Sequence, residues 1–254
     1  MSRPYILAES HWKDLQTFRF DLAVLPWGAT EAHNYHLPYA TDNYESEYLA
    51  AEAARKAWEN GTKVTVLPTI PFGVNTGQKD IYLDINLNPS VQMAILDNII
   101  EVLNRQGLKK LLIVNSHGGN DFKTALRELG LKYPEMFLAT SNWFRSLDKS
   151  KYFDQDGDHA DEMETSLIMH LKPELVLPLD EAGEGQEKKN KIKGFREGWA
   201  WTERNWPLIS EDTGVGNPKA ASAEKGARFF QDVTDKLAQL YTEIADADPK
   251  NLYE

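Results

Sequence analysis

Apolar residues fall along this chain in short runs separated by stretches with helical spacing. Leu22 to Pro26 is one such run, with Gly28 just beyond it, and reads as a buried strand over Asp21 to Pro26. Leu111, Leu112, Ile113 and Val114 form another, inside a strand expected over Lys109 to Asn115. An unbroken apolar run suits a strand covered on both faces. Lys63 to Pro71 and Met136 to Asn142 read as two further strands. Between them, Asp42 to Ala57 reads as a helix with Asp42 or Asn43 at its N-cap and Gly61 at its end. Asn88-Pro89-Ser90 opens a helix to Gln106, in which Val91, Ala94, Ile95, Ile99, Val102 and Leu103 share one face. Gly107 stops it. Leu15 to Phe20 reads as the close of a first helix, and further helices are expected over Asp121 to Leu129, Met163 to Leu171 and after Ala223. Phe72 to Asn86 is a loop whose Gly73, Asn75 and Gly77 suit turns, and such loops often line pockets. Strand, loop and helix in alternation predict βαβ units, a mostly parallel sheet and an α/β fold. No repeat or linker divides the chain. The charged stretch 183–193 reads as an exposed connector inside one domain over 1–254.

Composition narrows the chemistry. The 254 residues are 41% hydrophobic, with seven Trp, ten Tyr and ten Phe, enough for a sizeable core. A net charge of -11 argues against nucleic acid or anionic membrane as a partner. There is no cysteine, so disulfides, thiolate ligands and Cys nucleophiles are excluded. Any metal must be held by His and carboxylate, which suits Zn, Mn, Fe or Mg. Met1 to Tyr5 lacks the apolar segment of a signal peptide, and no run approaches the roughly 20 residues that cross a bilayer. Cytoplasm is the expected location.

Three polar stretches carry candidate chemistry. Glu31, His33 and Asp42 lie where the first strand gives way to a loop, the edge at which open α/β sheets bind ligands. Residues two apart in extended backbone project to one side, so Glu31 and His33 can grip one cation or one each of a pair. His117, followed by Gly118 and Gly119, leaves the buried third strand at the same edge. Glycines there let backbone or substrate come close. In the third stretch, His159, Asp161, Glu162 and Glu164 crowd the start of a helix. Acids at a helix N-terminus are favoured by its dipole alone. The density of acids also fits a cation, with His159 as an acid/base group and Glu162 or Glu164 facing metal. His11, His36 and His170 carry less chemistry. Trp143 reads as a wall for a flat substrate or as a core residue. Trp199, Trp201 and Trp206 read as a lid or a subunit interface.

Together these pieces resemble the creatininase family of metal-dependent amidohydrolases. The carrying residues are Leu25-Pro-Trp-Gly-Ala-Thr-Glu-Ala-His with His36-Leu-Pro and Thr41-Asp42, Asn115-Ser-His-Gly-Gly-Asn, His159-Ala-Asp-Glu-Met-Glu-Thr-Ser and Thr213-Gly-Val-Gly-Asn-Pro-Lys-Ala-Ala. The resemblance implies a three-layer α/β/α sandwich with a mostly parallel sheet. It implies two divalent cations per subunit, zinc first, with manganese or iron as alternatives. Carried residue by residue, it makes Glu31, His33, Asp42 and His117 ligands, with Asp42 bridging, and Glu164 a ligand or supporting acid. His159 matches a proton-transfer His. Creatininase itself has a carboxylate at the place of Gly119, so Glu162 or Glu164 must complete the second metal here, and creatinine is disfavoured as the substrate.

The implied reaction is hydrolysis of a C–N bond in a small amide or cyclic amide by a metal-bound hydroxide. His159, with Glu164 or Glu162, would protonate the leaving nitrogen, and Trp143, Gly118 and Gly119 would touch substrate. Formamide-cleaving and peptide-cleaving members of the family set alternative substrates, and family members are oligomers, often hexamers. Two rivals stand beside this reading: a non-catalytic binding protein on the same scaffold, and a two-metal phosphoesterase, which the lack of a basic cluster disfavours.

Overall fold

The structure, a computed structural model, describes residues 3–253; Met1, Ser2 and Glu254, which the one-domain expectation includes, lie outside the described residues. In chain order the elements are α1 (Trp12–Leu15), β1 (Leu22–Trp27), α2 (Thr41–Glu59), β2 (Val64–Val66), α3 (Pro89–Arg105), β3 (Lys110–Asn115), α4 (Phe122–Lys132) and β4 (Phe137–Asn142). They are followed by β5 (Gly157–His159), α5 (Glu162–Leu171), α6 (Lys193–Arg196), α7 (Trp206–Ile209), β6 (Val215–Gly216) and α8 (Ala223–Asp246). The main sheet has the order β2-β1-β3-β4 and every pairing is parallel, with Leu25 opposite Ile113 and Val114 opposite Ser141.

The sheet is buried on both faces, as the unbroken apolar runs require. Side chains alternate along a strand. Leu22 and Val24 of β1 and Leu112 and Val114 of β3 therefore join one core cluster, with Leu49 and Ala53 of α2 and Phe229, Val233 and Tyr241 of α8. Ala23, Leu25 and Trp27, with Leu111 and Ile113, join the other, against Leu96 and Ile100 of α3 and Phe122 and Leu129 of α4. Helices thus cover both faces of the sheet, the three-layer α/β/α arrangement. Among the described residues, no helix is long and apolar enough to cross a membrane.

Several boundaries differ from the sequence expectation, each for a local reason. β2 stops at Val66 rather than Pro71, because Pro68 and Pro71 have no N–H to give a ladder. The first helix ends at Leu15 and does not run on to Phe20. The residue before α2 is Ala40, which makes no side-chain cap, and Asp42 lies inside the helix with its carboxylate turned to two histidines. Asp121 and Asp161 do cap α4 and α5, each accepting a backbone N–H of its helix. The two-stranded antiparallel ribbon of β5 and β6 was not expected.

Candidate metal centre

All strands of the main sheet are parallel, so their carboxyl ends lie at one edge. β1 ends at Trp27 and releases the loop that carries Glu31 and His33. β3 ends at Asn115 and releases His117, whose backbone N–H donates to the Asn115 side chain at 3.1 Å. The first turn of α2 brings Asp42. The ribbon strand β5 brings His159, and the first turn of α5 brings Glu164. Segments more than 100 residues apart therefore meet, and all six side chains are nearly closed off from solvent, from 0% exposure at His33 to 7% at Glu164.

The contacts fall into a pattern. His33 Nε2 is 3.0 Å from Asp42 Oδ1, and His117 Nδ1 is 3.0 Å from Asp42 Oδ2. Each oxygen of Asp42 thus faces a different imidazole. Glu31 Oε1 lies 2.9 Å from His117 Nδ1, 3.8 Å from His159 Nδ1 and 3.9 Å from His33 Nε2. Glu164 Oε2 lies 4.0 Å from His33 Nε2. Ligand atoms of three groups come within 4.8 Å of one another: Glu31, Asp42 and His117; His33, Asp42 and Glu164; and Glu31, His33 and His159.

The outer ring nitrogens are committed to backbone. His33 Nδ1–H donates to the Glu31 carbonyl at 3.1 Å, His117 Nε2–H to the Val74 carbonyl at 3.0 Å and His159 Nε2–H to the Ala32 carbonyl at 2.9 Å. A carbonyl can only accept, so these nitrogens carry hydrogen and the inward nitrogens face the acids. Metal-ligating histidines are oriented in this way. Burial alone would lower His33, but the Asp42 carboxylate overrides it and the imidazole is pushed up to about 10. Burial also opposes charge on His117, yet Glu31 and Asp42 raise it well above its usual value. Burial pushes Glu164 up to about 8 against the pull of His33. Asp42 is held low, because His33 and His117 outweigh its burial. His159 alone among the three imidazoles is lowered, by burial and then by the charge of His33. Acids that strongly hold imidazolium in the absence of metal are a donor set suited to divalent cations.

The remaining expected site residues are distributed differently. Glu162 is fully buried, but its carboxylate accepts from the backbone N–H of Asp154 at 2.8 Å and of Gln155 at 2.7 Å and pairs with Lys225. It ties down the 154–162 loop and belongs to none of the three groups of ligand atoms. Trp143 is not a wall of the site. It is 1% exposed, packs with Phe144 and Phe229 in the core and donates Nε1–H to Ser116 Oγ at 2.6 Å. Gly118 is open around its Cα. At Gly119 a Cβ would lie 2.3 Å from the Val74 carbonyl oxygen and 2.5 Å from His117 Nε2. The close approach there is of the protein's own backbone. It leaves no room for a carboxylate at this position, while Glu164 stands beside His33 and Asp42.

Other residues reach the site from stretches the sequence marked only coarsely, as a pocket-lining loop, a motif or a lid. Gln78 Nε2 donates to Glu31 Oε2. Asp84 Oδ1 accepts from Ala32 N–H at 2.7 Å. Thr213 Oγ1 accepts from Asn34 N–H and donates to the Ala32 carbonyl. His36, set aside above, is buried and bonds Thr165 Oγ1 at 2.9 Å. Trp206 lies over His159 with ring centroids 4.7 Å apart, whereas Trp199 and Trp201 are exposed. The four non-glycine residues with positive φ among the described residues are Asn34, Leu83, Ala160 and Thr213. Each adjoins or bonds one of these groups. Such strain persists where the surroundings over-determine it, commonly at functional sites.

A sequence profile of the creatininase family, described as creatinine amidohydrolase, matches residues 8–241. A solved structure of a putative creatinine amidohydrolase from Bacteroides fragilis is 42% identical, covers 100% of both chains and has a TM-score of 0.92. The mycofactocin precursor peptide peptidase of Mycolicibacterium smegmatis is 25% identical, covering 85% of this chain and 83% of its own. The 3-dehydro-scyllo-inosose hydrolase of Thermotoga maritima is 26% identical, covering 90% of this chain and 79% of its own. Solved creatininases share the fold: a Zn–Zn mutant form with TM-score 0.77 at 19% identity, covering 97% of this chain and 100% of its own, and a Mn form with TM-score 0.74 at 21%, covering 96% and 100%.

Proposed function

Because this chain belongs to the creatininase family, we propose that it is a metal-dependent amidohydrolase cleaving a C–N bond of a small amide or cyclic amide. One observation carries the reading: the two oxygens of Asp42 face His33 and His117 separately, so one buried carboxylate belongs to two ligand sets. Glu31, Asp42 and His117 would hold one divalent cation, and His33, Asp42 and Glu164 the other. Zinc is the first choice and manganese or iron the alternatives, in keeping with the Zn–Zn and Mn creatininases. When bound, such cations supply Lewis acidity and a water acidic enough to react at neutral pH.

The chain's own residues do the rest. His159 is the proton carrier. Its Nε2–H is fixed on the Ala32 carbonyl and burial keeps the ring neutral, so Nδ1 offers a lone pair beside Glu31. It would accept at Nδ1 the proton given up by the attacking water and return it to the leaving nitrogen, which an amide requires because its nitrogen leaves poorly. The Trp206 ring packs against His159 with centroids 4.7 Å apart, and His159 is 6% exposed, so little bulk water reaches it. The absence of a carboxylate at Gly119 makes creatinine a weaker candidate than the formamide or peptide-end amide of other family members. The similarity to a precursor-peptide peptidase favours keeping the peptide in the set. We also expect a homo-oligomer, a hexamer by family resemblance.

Elemental analysis of purified protein, followed by a screen of zinc- and manganese-loaded chain against creatinine, formamides and short peptides, tests the reading. About two metals per chain and turnover of one class are expected. Well under one tightly held metal per chain would leave a non-catalytic scaffold and end the proposal.

A further inference from the structure

Gln78 belongs to the single turn Thr76–Gln78 in the loop between β2 and α3, and it is 3% exposed. Its Nε2 donates to Glu31 Oε2, while its own carbonyl oxygen, also buried, has no hydrogen-bond partner. The other oxygen of Glu31 is the one that faces His117, His159 and His33. The amide therefore engages one carboxylate oxygen and turns the other toward the imidazoles. Two more side chains of the same loop hold the flanking residues. Asn75 Nδ2 donates to the Thr30 carbonyl at 3.4 Å, and Asp84 accepts from Ala32 N–H. Three consecutive residues, Thr30 to Ala32, are thus braced from one loop. The turn is itself wedged: a Cβ on Gly77 would lie 2.1 Å from the Arg204 carbonyl oxygen.

We infer that Gln78 is a positioning residue of the metal centre, fixing Glu31 so that it presents Oε1 alone to a cation. The inference rests on the proposed metal-binding reading. A neutral amide suits this role, because it orients the carboxylate without cancelling the charge that attracts the cation; a lysine or arginine there would compete with the metal. A half-satisfied buried amide is a poor purely structural device, which is a second reason to assign Gln78 a role at the site.

The test is zinc affinity, measured by competition with a chromogenic chelator, alongside the melting temperature of the metal-free chain. Supporting groups around a ligand typically contribute 10–100-fold in metal affinity. Gln78→Met is expected to weaken zinc binding by about that factor with only a modest fall in the metal-free melting temperature, because Glu31 Oε2 loses its buried donor. Introduced into Glu31→Gln, the same change is expected to weaken binding by less than about 3-fold, because the residue acts through Glu31. Wild-type affinity in Gln78→Met, an equal loss in both backgrounds, or a fall in metal-free stability that accounts for the loss would each overturn the assignment. Failure of the unmodified chain to bind zinc would instead overturn the functional reading and this role with it.

Discussion

Replacing Gly119 with alanine probes how His117 is held. The added Cβ would sit 2.3 Å from the Val74 carbonyl oxygen and 2.5 Å from His117 Nε2, where real Cβ contacts essentially never fall below 3.0 Å. Both the Val74 carbonyl and the imidazole, or the backbone at residue 119 between them, must therefore yield by several tenths of an ångström. The carbonyl and the imidazole are ends of the same 3.0 Å hydrogen bond, the one that orients His117. Overpacking of this kind costs about 1–3 kcal/mol. At roughly 2–4 °C per kcal/mol for a chain of this size, the melting temperature should fall by about 2–12 °C. Loss of the orienting bond should weaken zinc binding by about 10–100-fold. Gly118→Ala is the matched control: its Cβ meets nothing within 4 Å and its backbone does not need glycine, so it should stay within about 0.5 kcal/mol of the parent. The assays are thermal unfolding of the metal-free chain and chelator competition for zinc. If Gly119→Ala matched Gly118→Ala in both, the account of His117 would be refuted.

Asp42→Asn keeps the shape of the shared ligand but removes its charge, and elemental analysis should find both metals lost; retention of one would show that the two sets do not depend on a common carboxylate. His159→Ala should keep both metals and lose about 10²–10⁴-fold in kcat, the usual range for a proton carrier; lost metal would make His159 a ligand instead. Metal uptake at pH 7 should release protons, since His33, pushed up to about 10, and Glu164, pushed up to about 8, both hold protons in the metal-free chain. Calorimetric titration in two buffers of different ionisation enthalpy reads that release, and a buffer-independent heat would contradict it. His33 sits above its ordinary 6.5, so its contribution to metal-free stability is complete below that pH and is lost as pH rises through about 10. Denaturant titrations of metal-free His33→Gln and parent should therefore converge toward pH 10.

The chain's pattern was legible wherever one residue's surroundings are dictated by its neighbours in sequence. The runs in β1 and β3 can only be strands buried on both faces, and they divide between the two core layers as period-2 alternation demands. The parallel alternation of strands and helices then puts Glu31, His33 and His117 at one edge of the sheet. The ribbon of β5 and β6 was not legible, because two or three residues carry no periodicity. The division of labour between Glu162 and Glu164 was not legible either. Both begin α5, and residues two apart on a helix point in different directions. One was drawn to Lys225 and two free N–H groups, the other toward His33. Trp143 and Trp206 show the same limit, since an aromatic residue is equally suited to a core and to a pocket cover.

The sequence by itself determined the fold class, the sheet edge at which the candidate ligands gather and the residue types available there, because hydrophobic periodicity and donor chemistry are local properties. Only the tertiary structure decided which acids stand beside which imidazoles, which ring nitrogen each imidazole commits to backbone and that Gln78, Asp84 and Thr213 brace this cluster. Those choices depend on distances of a few ångströms between segments far apart along the chain, and no pattern of neighbouring residues encodes them.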